Sequence, residues 1–193
     1  MSQLMYKASA RTYAHNLKNL SANLRTAARE ARVRGIDTGV LVNARLAPDM
    51  LPLSSQVQIA CDNAKGACAR LAGVELPSHP DEETNFDELQ QRIRDTRAFL
   101  RTIKVAQYAG SEDREILIET PVGTITASGA DYLFGWSLPN FWFHITTAYA
   151  ILRHNGVPLG KADFLGPAPG ISATGEAARV LRLTKSKKPR TRG

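Results

Sequence analysis

The sequence predicts an all-α protein, a four-helix bundle with a small β-hairpin between the third and fourth helices. Four segments repeat apolar residues every three or four positions, which is the spacing of one helix face. A fifth segment, 115–129, shows a period of two around a Pro-Val-Gly turn, which is typical of a two-stranded hairpin. A hairpin alone is marginal in water, so we expect it to lie against the helices.

The first two helices are predicted from their apolar stripes and their end signals. The first runs from about residue 3 to residue 34, and Gly35 can end it in the left-handed conformation. The second occupies 51–73, with Asp49 as its N-cap and Pro52 in its first turn, where a missing N–H costs nothing. The link between them is long, so it could be a crossover instead of a simple up-and-down connection.

The third and fourth helices follow a polar, proline-bearing loop and the hairpin, respectively. Thr84 or Asn85 is expected to cap the third helix, whose first turn is acidic and so favours the positive end of the helix dipole. The fourth helix is predicted to begin near Ser137, with Pro139 in its first turn, and to end at 155–156.

Charge and composition divide the chain into a bundle domain, 1–166, and an extension, 167–193. The extension is rich in Pro and Gly and then in Lys and Arg, and we expect it to be flexible. Seven basic residues and one acidic residue between 174 and 193 carry +6 of the net charge of +7, so the bundle is nearly neutral. Nucleic-acid phosphates could therefore bind only the tail, through Lys185, Lys187, Lys188, Arg190 and Arg192, and a solubilising extension is the favoured alternative.

Localisation follows from the N-terminus and the cysteines. The first twenty residues lack a continuous apolar region and a small-residue cleavage site, and no run of ~18 apolar residues occurs, so we expect a cytoplasmic, non-membrane protein. Cys61 and Cys68 lie seven residues apart in one predicted helix, about 10 Å along its axis, which is too far for a disulfide. We expect both to be small buried hydrophobes.

Candidate chemistry is concentrated on the fourth helix at His144. Asn140, His144 and Thr147 share one helix face, and a second line beside them is wholly apolar. His144 could be a ligand or a general base that points into the bundle, since its ordinary pKa lies near neutrality. The favoured interpretation is a neutral core histidine bonded to a polar side chain of another helix, because a metal usually needs three or more protein ligands.

Partners for His144 are sought among the polar residues of the second helix, which are Gln56, Gln58, Asp62 and Asn63. Of these, Gln58 and Asp62 are four residues apart and share a face. Asp62 could orient the imidazole or bind a metal together with it. Alternatively, Asp62 pairs with Lys65 or with solvent. The candidate pocket therefore consists of His144, Asn140, Asp62 and Gln58, with His144 and Asp62 as the only candidate metal ligands. His15, off the leucine stripe of the first helix, is expected at the surface or at the edge of a cleft.

Three phrases carry a resemblance to a known group. The stretch FHITTAYAILRHNGVPLGKADF (143–164) resembles the last helix of the DinB/YfiT-like superfamily of four-helix bundles. Residues 45–73 and 131–166 are more closely similar to one uncharacterised bacterial branch of it, a domain of unknown function, and the likeness covers most of 1–166. Many members are regarded as metalloenzymes, some are thiol-dependent transferases, and bundles of this kind often form homodimers.

The resemblance also implies a departure at the metal site. Metal-binding members present two histidines four residues apart on the last helix and a third ligand from the second helix. Here His144 matches the second of the pair, and the first falls on Asn140, which is a poor ligand for a transition metal. The second helix has no histidine, so Gln58 or Asp62 would have to serve. A divalent metal is possible, but the usual three-histidine site is incomplete.

The leading functional hypothesis is a DinB-like protein with a degenerate metal site that binds a small molecule between its helices. One alternative is a non-enzymatic structural or stress-associated protein whose basic tail recruits partners. Another is a thiol-dependent transferase of the DinB-like kind. The sequence does not decide whether the protein is an enzyme, and no nucleophile stands out, because Cys61 and Cys68 have no neighbouring base in sequence.

Overall fold

The computed structural model describes residues 1–120, 122–167 and 169–181, and its architecture is the predicted helical bundle with one antiparallel hairpin. The five tail residues proposed to contact nucleic acid lie outside the described residues. The long helices are α1 (Ser2–Tyr6, Lys7–Arg11 and Thr12–Val33, continuous), α3 (Leu53–Ala72), α4 (Phe86–Thr102) and α5 (Gly129–Asp131, Tyr132–Ser137 and Leu138–His154, continuous). The shorter elements are α2 (Thr38–Val42), a 3₁₀ turn (Val105–Tyr108), β1 (Glu115–Thr120), β2 (Gly123–Ser128), α6 (Lys161–Leu165) and α7 (Gly175–Val180).

Helix α1 is as long as its leucine stripe predicts, and it contains one widened turn. Lys7–Arg11 is π-helical, and it places Ser9 fully inside the protein, where its hydroxyl donates to Tyr108 Oη at 2.8 Å. The predicted stripe is buried throughout. Gly35 follows the helix with a φ of 65°, so the predicted left-handed stop is confirmed.

Helix α3 begins later than predicted and ends where predicted. Its N-cap is Pro52, with ψ at 170°, and no side chain caps the helix. The prediction that Asp49 caps this helix is wrong, because Asp49 precedes the N-cap by three residues and the intervening chain is extended or turned. At the other end Gly73 adopts a φ of 66°, which a β-carbon would strain.

The N-terminus of α4 is held by two reciprocal hydrogen bonds. Asn85 Oδ1 accepts from the Glu88 backbone N–H at 3.0 Å, and Glu88 Oε2 accepts from the Thr84 backbone N–H at 2.7 Å. Asn85 is thus the N-cap, one of the two caps that the sequence predicted, and the Glu88 carboxylate accepts from the backbone N–H of the other, Thr84.

Helix α5 begins eight residues earlier than predicted. It starts at Gly129, after Ser128 accepts a side-chain hydrogen bond from the Asp131 N–H, and it continues through a π-helical stretch, Tyr132–Ser137. Pro139 lies just beyond this stretch, not in a first turn. A proline lacks the N–H that a regular turn needs, and the widened turns before it allow the helix to continue.

The packing of the long helices identifies the crossover that the sequence left open. The most extensive pairings are α3 with α5, α3 with α4, and α1 with α4. Successive helices α1 and α3 are therefore not principal partners, and the link 34–52 crosses between them. The hairpin lies against this bundle, with Ile116 buried and Ile118 and Ala127 packed on the core, as expected for an otherwise marginal pair of strands.

Candidate functional site

Helix α5 directs His144 at α3, where its partner is Gln56. His144 is 9 % exposed, and its Nδ1 lies 2.8 Å from Gln56 Oε1. Gln56 Nε2 donates to the Leu51 carbonyl oxygen at 3.0 Å, which fixes the orientation of the amide. Nδ1 therefore carries the proton that Oε1 accepts, and in the neutral ring Nε2 keeps a free lone pair.

The protonation state of His144 follows from its burial. Burial disfavours the charged ring and lowers the pKa of His144 below its ordinary value of 6.5. The imidazole is accordingly neutral at pH 7. The bond to Gln56 matches the interpretation of His144 as a core histidine bonded to a polar side chain of another helix. It leaves Nε2 able to accept a proton.

Asn140 adds a second acceptor one turn earlier on α5. Its side chain is half-buried, and its Oδ1 is inaccessible to water and has no hydrogen-bond partner among the described residues. Unpaired buried acceptors are rare in native proteins, because each costs about 1–3 kcal/mol. Phe143, which is exposed, meets the His144 ring edge-on with 5.2 Å between ring centroids. The cluster of Gln56, Asn140 and His144 thus combines two unpaired acceptors, one of them buried, with an adjacent aromatic ring.

Gln58 and Asp62 do not contact this cluster; they form a second one. Gln58 Nε2 donates to Glu83 Oε2 at 2.9 Å, and Asp62 Oδ1 accepts from Arg92 at 2.7 Å and from Lys65 at 2.9 Å. The pairing with Lys65 is the alternative that the sequence offered for Asp62.

Helix geometry gives the reason for this separation. Asp62 follows Gln56 by six residues, a rotation of about 240° around α3 after complete turns are removed, and Gln58 follows it by about 200°. Because Gln56 faces α5, these rotations turn both Gln58 and Asp62 away from α5. The four-residue pocket predicted from the sequence is therefore divided in two, and the candidate metal ligands His144 and Asp62 do not meet.

Arg92 organises the second cluster. It is 3 % exposed, and its guanidinium contacts Asp62, Asp81 and Glu83 at 2.7–2.9 Å and donates to the Pro80 carbonyl oxygen at 2.9 Å. Burial alone would raise the pKa of Glu83, but hydrogen bonds from Gln58 and Arg92 outweigh it and hold that pKa below its usual value. Arg92 thus ties the loop before α4 to helix α3.

A cleft of about 360 Å³ lies beside Arg92 and is bordered by His79. The Nδ1 of His79 is buried and has no hydrogen-bond partner in the described part of the chain. Burial, with further contributions from Lys65 and Arg92, lowers the pKa of His79. The other lining residues are mostly acidic: Pro80, Glu82, Glu83, Glu88, Gln91, Arg92 and Asp95.

The donor sets for metal and thiol chemistry are limited. Within residues 1–120, 122–167 and 169–181, no group of three or more His, Cys, Asp or Glu side chains could hold a metal ion. Cys61 and Cys68 are fully buried and unpaired, and burial raises the pKa of each thiol to about 12. Neither cysteine supplies a thiolate nucleophile at neutral pH.

This architecture, a helical bundle with a hairpin before its last helix, is that of a DinB-like protein. The chain belongs to the DUF1993 family, a domain of unknown function, whose profile matches residues 5–165. It is 39 % identical to a DinB family member protein from Shewanella denitrificans, and their structures align with a TM-score of 0.82 over 89 % of this chain and 97 % of that one.

Two further observations bear on its identity. No curated protein matches the chain. Among the described residues, no helix is both long enough and apolar enough to pass through a membrane.

Proposed function

We propose that this DinB-like protein binds a small molecule bearing hydrogen-bond donors at the cluster of Gln56, Asn140 and His144, and that it does so without a tightly bound transition metal. The observation that supports the proposal is the pair of unpaired acceptors on α5, Asn140 Oδ1 and His144 Nε2. By resemblance, these are the two positions at which metal-binding members present histidines.

The chemistry of the pair selects the ligand class. The two residues are one turn apart, about 6 Å along the helix axis, and both offer lone pairs, so a ligand with an amide N–H, a hydroxyl or an ammonium group complements them. A donor that reaches Asn140 Oδ1 offsets the cost of leaving that acceptor unpaired. If the bound molecule reacts, His144 Nε2 is the general base, because the ring is neutral at pH 7.

Metal analysis separates this proposal from a standard metalloenzyme. We expect protein purified without a chelating tag to contain clearly less than one equivalent of metal, because an amide oxygen replaces an imidazole. A full equivalent of nickel or zinc that is lost in His144→Ala would contradict the proposal.

A matched pair of probes tests ligand binding. Benzamide carries two N–H donors, and N,N-dimethylbenzamide carries none. Titrations followed by ¹H–¹⁵N NMR should show benzamide shifting signals of Gln56, Asn140 and His144, and Asn140→Ala should weaken its binding by roughly tenfold, the value of about one hydrogen bond. Asn43→Ala, at an exposed asparagine, is the control. Equal binding of both amides, or shifts only at other residues, would reject this site.

A further inference from the structure

We propose a second, independent binding site, for a small organic anion with an apolar body, in a cleft between α1 and the segment that follows α5. Two cavities of about 350 and 290 Å³ occur there. His15 and Asn16 line both of them, so the two cavities adjoin. The sequence placed His15 at the surface or at a cleft edge, and the structure gives the cleft.

One end of this cleft is cationic. The first cavity is lined by Lys7, Arg11 and Thr12 from α1 and by Pro169 and Gly170 from the opposite segment. Lys7 and Arg11 form no ion pair with any described residue, and no Asp or Glu lines either cavity. Their charges are thus uncompensated at this end, which favours an anionic group.

The other end is apolar. The second cavity is bordered by Trp142 of α5 and, on the opposite side, by Leu165, Ile171 and Leu181. Trp142 is 36 % exposed, so a large aromatic surface remains for a ligand to cover. A cationic end joined to an apolar end matches a carboxylate with an alkyl or aryl body, and it disfavours both an organic cation and a strongly polar anion.

The segment that follows α5 and forms the other wall of the cleft is attached to α1 at Leu165. His15 Nε2 lies 2.9 Å from the Leu165 carbonyl oxygen, and Asn19 Nδ2 donates to the same oxygen at 2.8 Å. These bonds hold the C-terminal end of α6 (Lys161–Leu165) against α1. Gly166 approaches so closely, with a φ of 59°, that a β-carbon there would lie 2.3 Å from Asn19 Oδ1. The cleft is therefore formed by directed contacts at its base.

A series of three eight-carbon ligands tests the head-group requirement in the full-length chain. Trp136→Phe leaves Trp142 as the only tryptophan, so its fluorescence reports on the apolar end. We expect octanoate to change this fluorescence saturably, with an affinity that falls as salt rises, and we expect octanol and octylammonium to bind at least fivefold more weakly.

Charge variants complete the test. In the same background, Lys7→Gln with Arg11→Gln should weaken octanoate binding by about fivefold, as expected for two exposed charge contacts. Arg29→Gln with Arg32→Gln removes the same charge about 30 Å further along α1 and should leave the affinity unchanged. The site is rejected if octanol or octylammonium binds as well as octanoate, if both double variants weaken binding equally, or if octanoate does not bind. His144→Ala should retain octanoate binding, which separates this site from the one proposed above.

Discussion

Replacing Arg92 with leucine should destabilise the bundle by about 3 kcal/mol. The substitution removes the buried guanidinium that Asp62, Asp81 and Glu83 share, and it leaves their carboxylates without their common cation. Leucine fits the surrounding apolar stripe of α4, so the loss reports mainly on the uncompensated charges and not on a cavity.

The magnitude follows from the exposure of the three carboxylates. Breaking a buried ion pair from one side costs about 3–5 kcal/mol. The Asp62 and Asp81 side chains are 38 % and 59 % exposed, so water compensates much of their loss, and Asp62 also keeps Lys65. Glu83, at 13 %, must either remain charged in a poorly hydrated place or take up a proton. We therefore expect the lower end of the range, and a fall in Tm of about 6–12 °C for a chain of this size.

Urea unfolding followed by circular dichroism measures this loss directly. Arg94→Leu removes an exposed arginine two residues further along α4 and should cost less than 1 kcal/mol. Combining Arg92→Leu with Glu83→Gln should recover part of the loss, because it removes the least hydrated of the unpaired charges. A loss below 1 kcal/mol for Arg92→Leu, or one equal to that of Arg94→Leu, would refute the reasoning.

Three other outcomes are expected. Burial should make His144 titrate below pH 6.5 by NMR, so its stabilising contribution is complete above pH 6.5 and is lost as the pH falls through the folded-state pKa. A wild-type pKa at or above 6.5 would contradict this. Cys61 and Cys68 should react with Ellman's reagent only when urea unfolds the protein, and rapid native labelling would contradict their burial. Deletion of 174–193 should abolish any salt-sensitive DNA binding, and unchanged affinity would exclude the tail.

Helix positions could be predicted from the sequence because a repeat of three to four residues is a strong local signal. Helix starts were less accurate, since they depend on proline and on capping residues whose effect varies with context. Pro139 indicates a start in most helices, yet here a π-helical stretch before it allows α5 to continue. Asp49 had the right chemistry for an N-cap, but the chain turns into the helix only at Pro52. Such choices are made by tertiary packing, which single-residue preferences do not contain.

Gln56, the partner of His144, was one of four polar residues of α3 that the sequence offered, but the prediction favoured Gln58 and Asp62. Those two residues share a face of α3, but that face is displaced from the apolar stripe of the helix. Gln56 lies four residues before Ala60, which is fully buried, so Gln56 is the polar residue on the line that enters the bundle. A polar residue on a buried line needs a partner across the interface, and His144 is such a partner.

Arg92 was missed for a different reason. It follows Leu89 by three residues and precedes Thr96 by four, so it occupies a buried stripe where a charge requires compensation. The stripe could have been recognised from the sequence. Its partners could not, because two carboxylates come from the loop 74–85 and the third from α3, and no local spacing relates them.

These two clusters together explain why α3 is a poor source of a metal ligand for His144. Its one carboxylate in this region, Asp62, already forms ion pairs with two cations, Arg92 and Lys65, which a metal would have to displace. Removing Arg92 would weaken that competition, but the rotation of about 240° between Gln56 and Asp62 would still keep the carboxylate away from the imidazole. The residue that α3 does present to His144 is an amide, which orients the ring through Nδ1 and leaves Nε2 for a ligand or a proton.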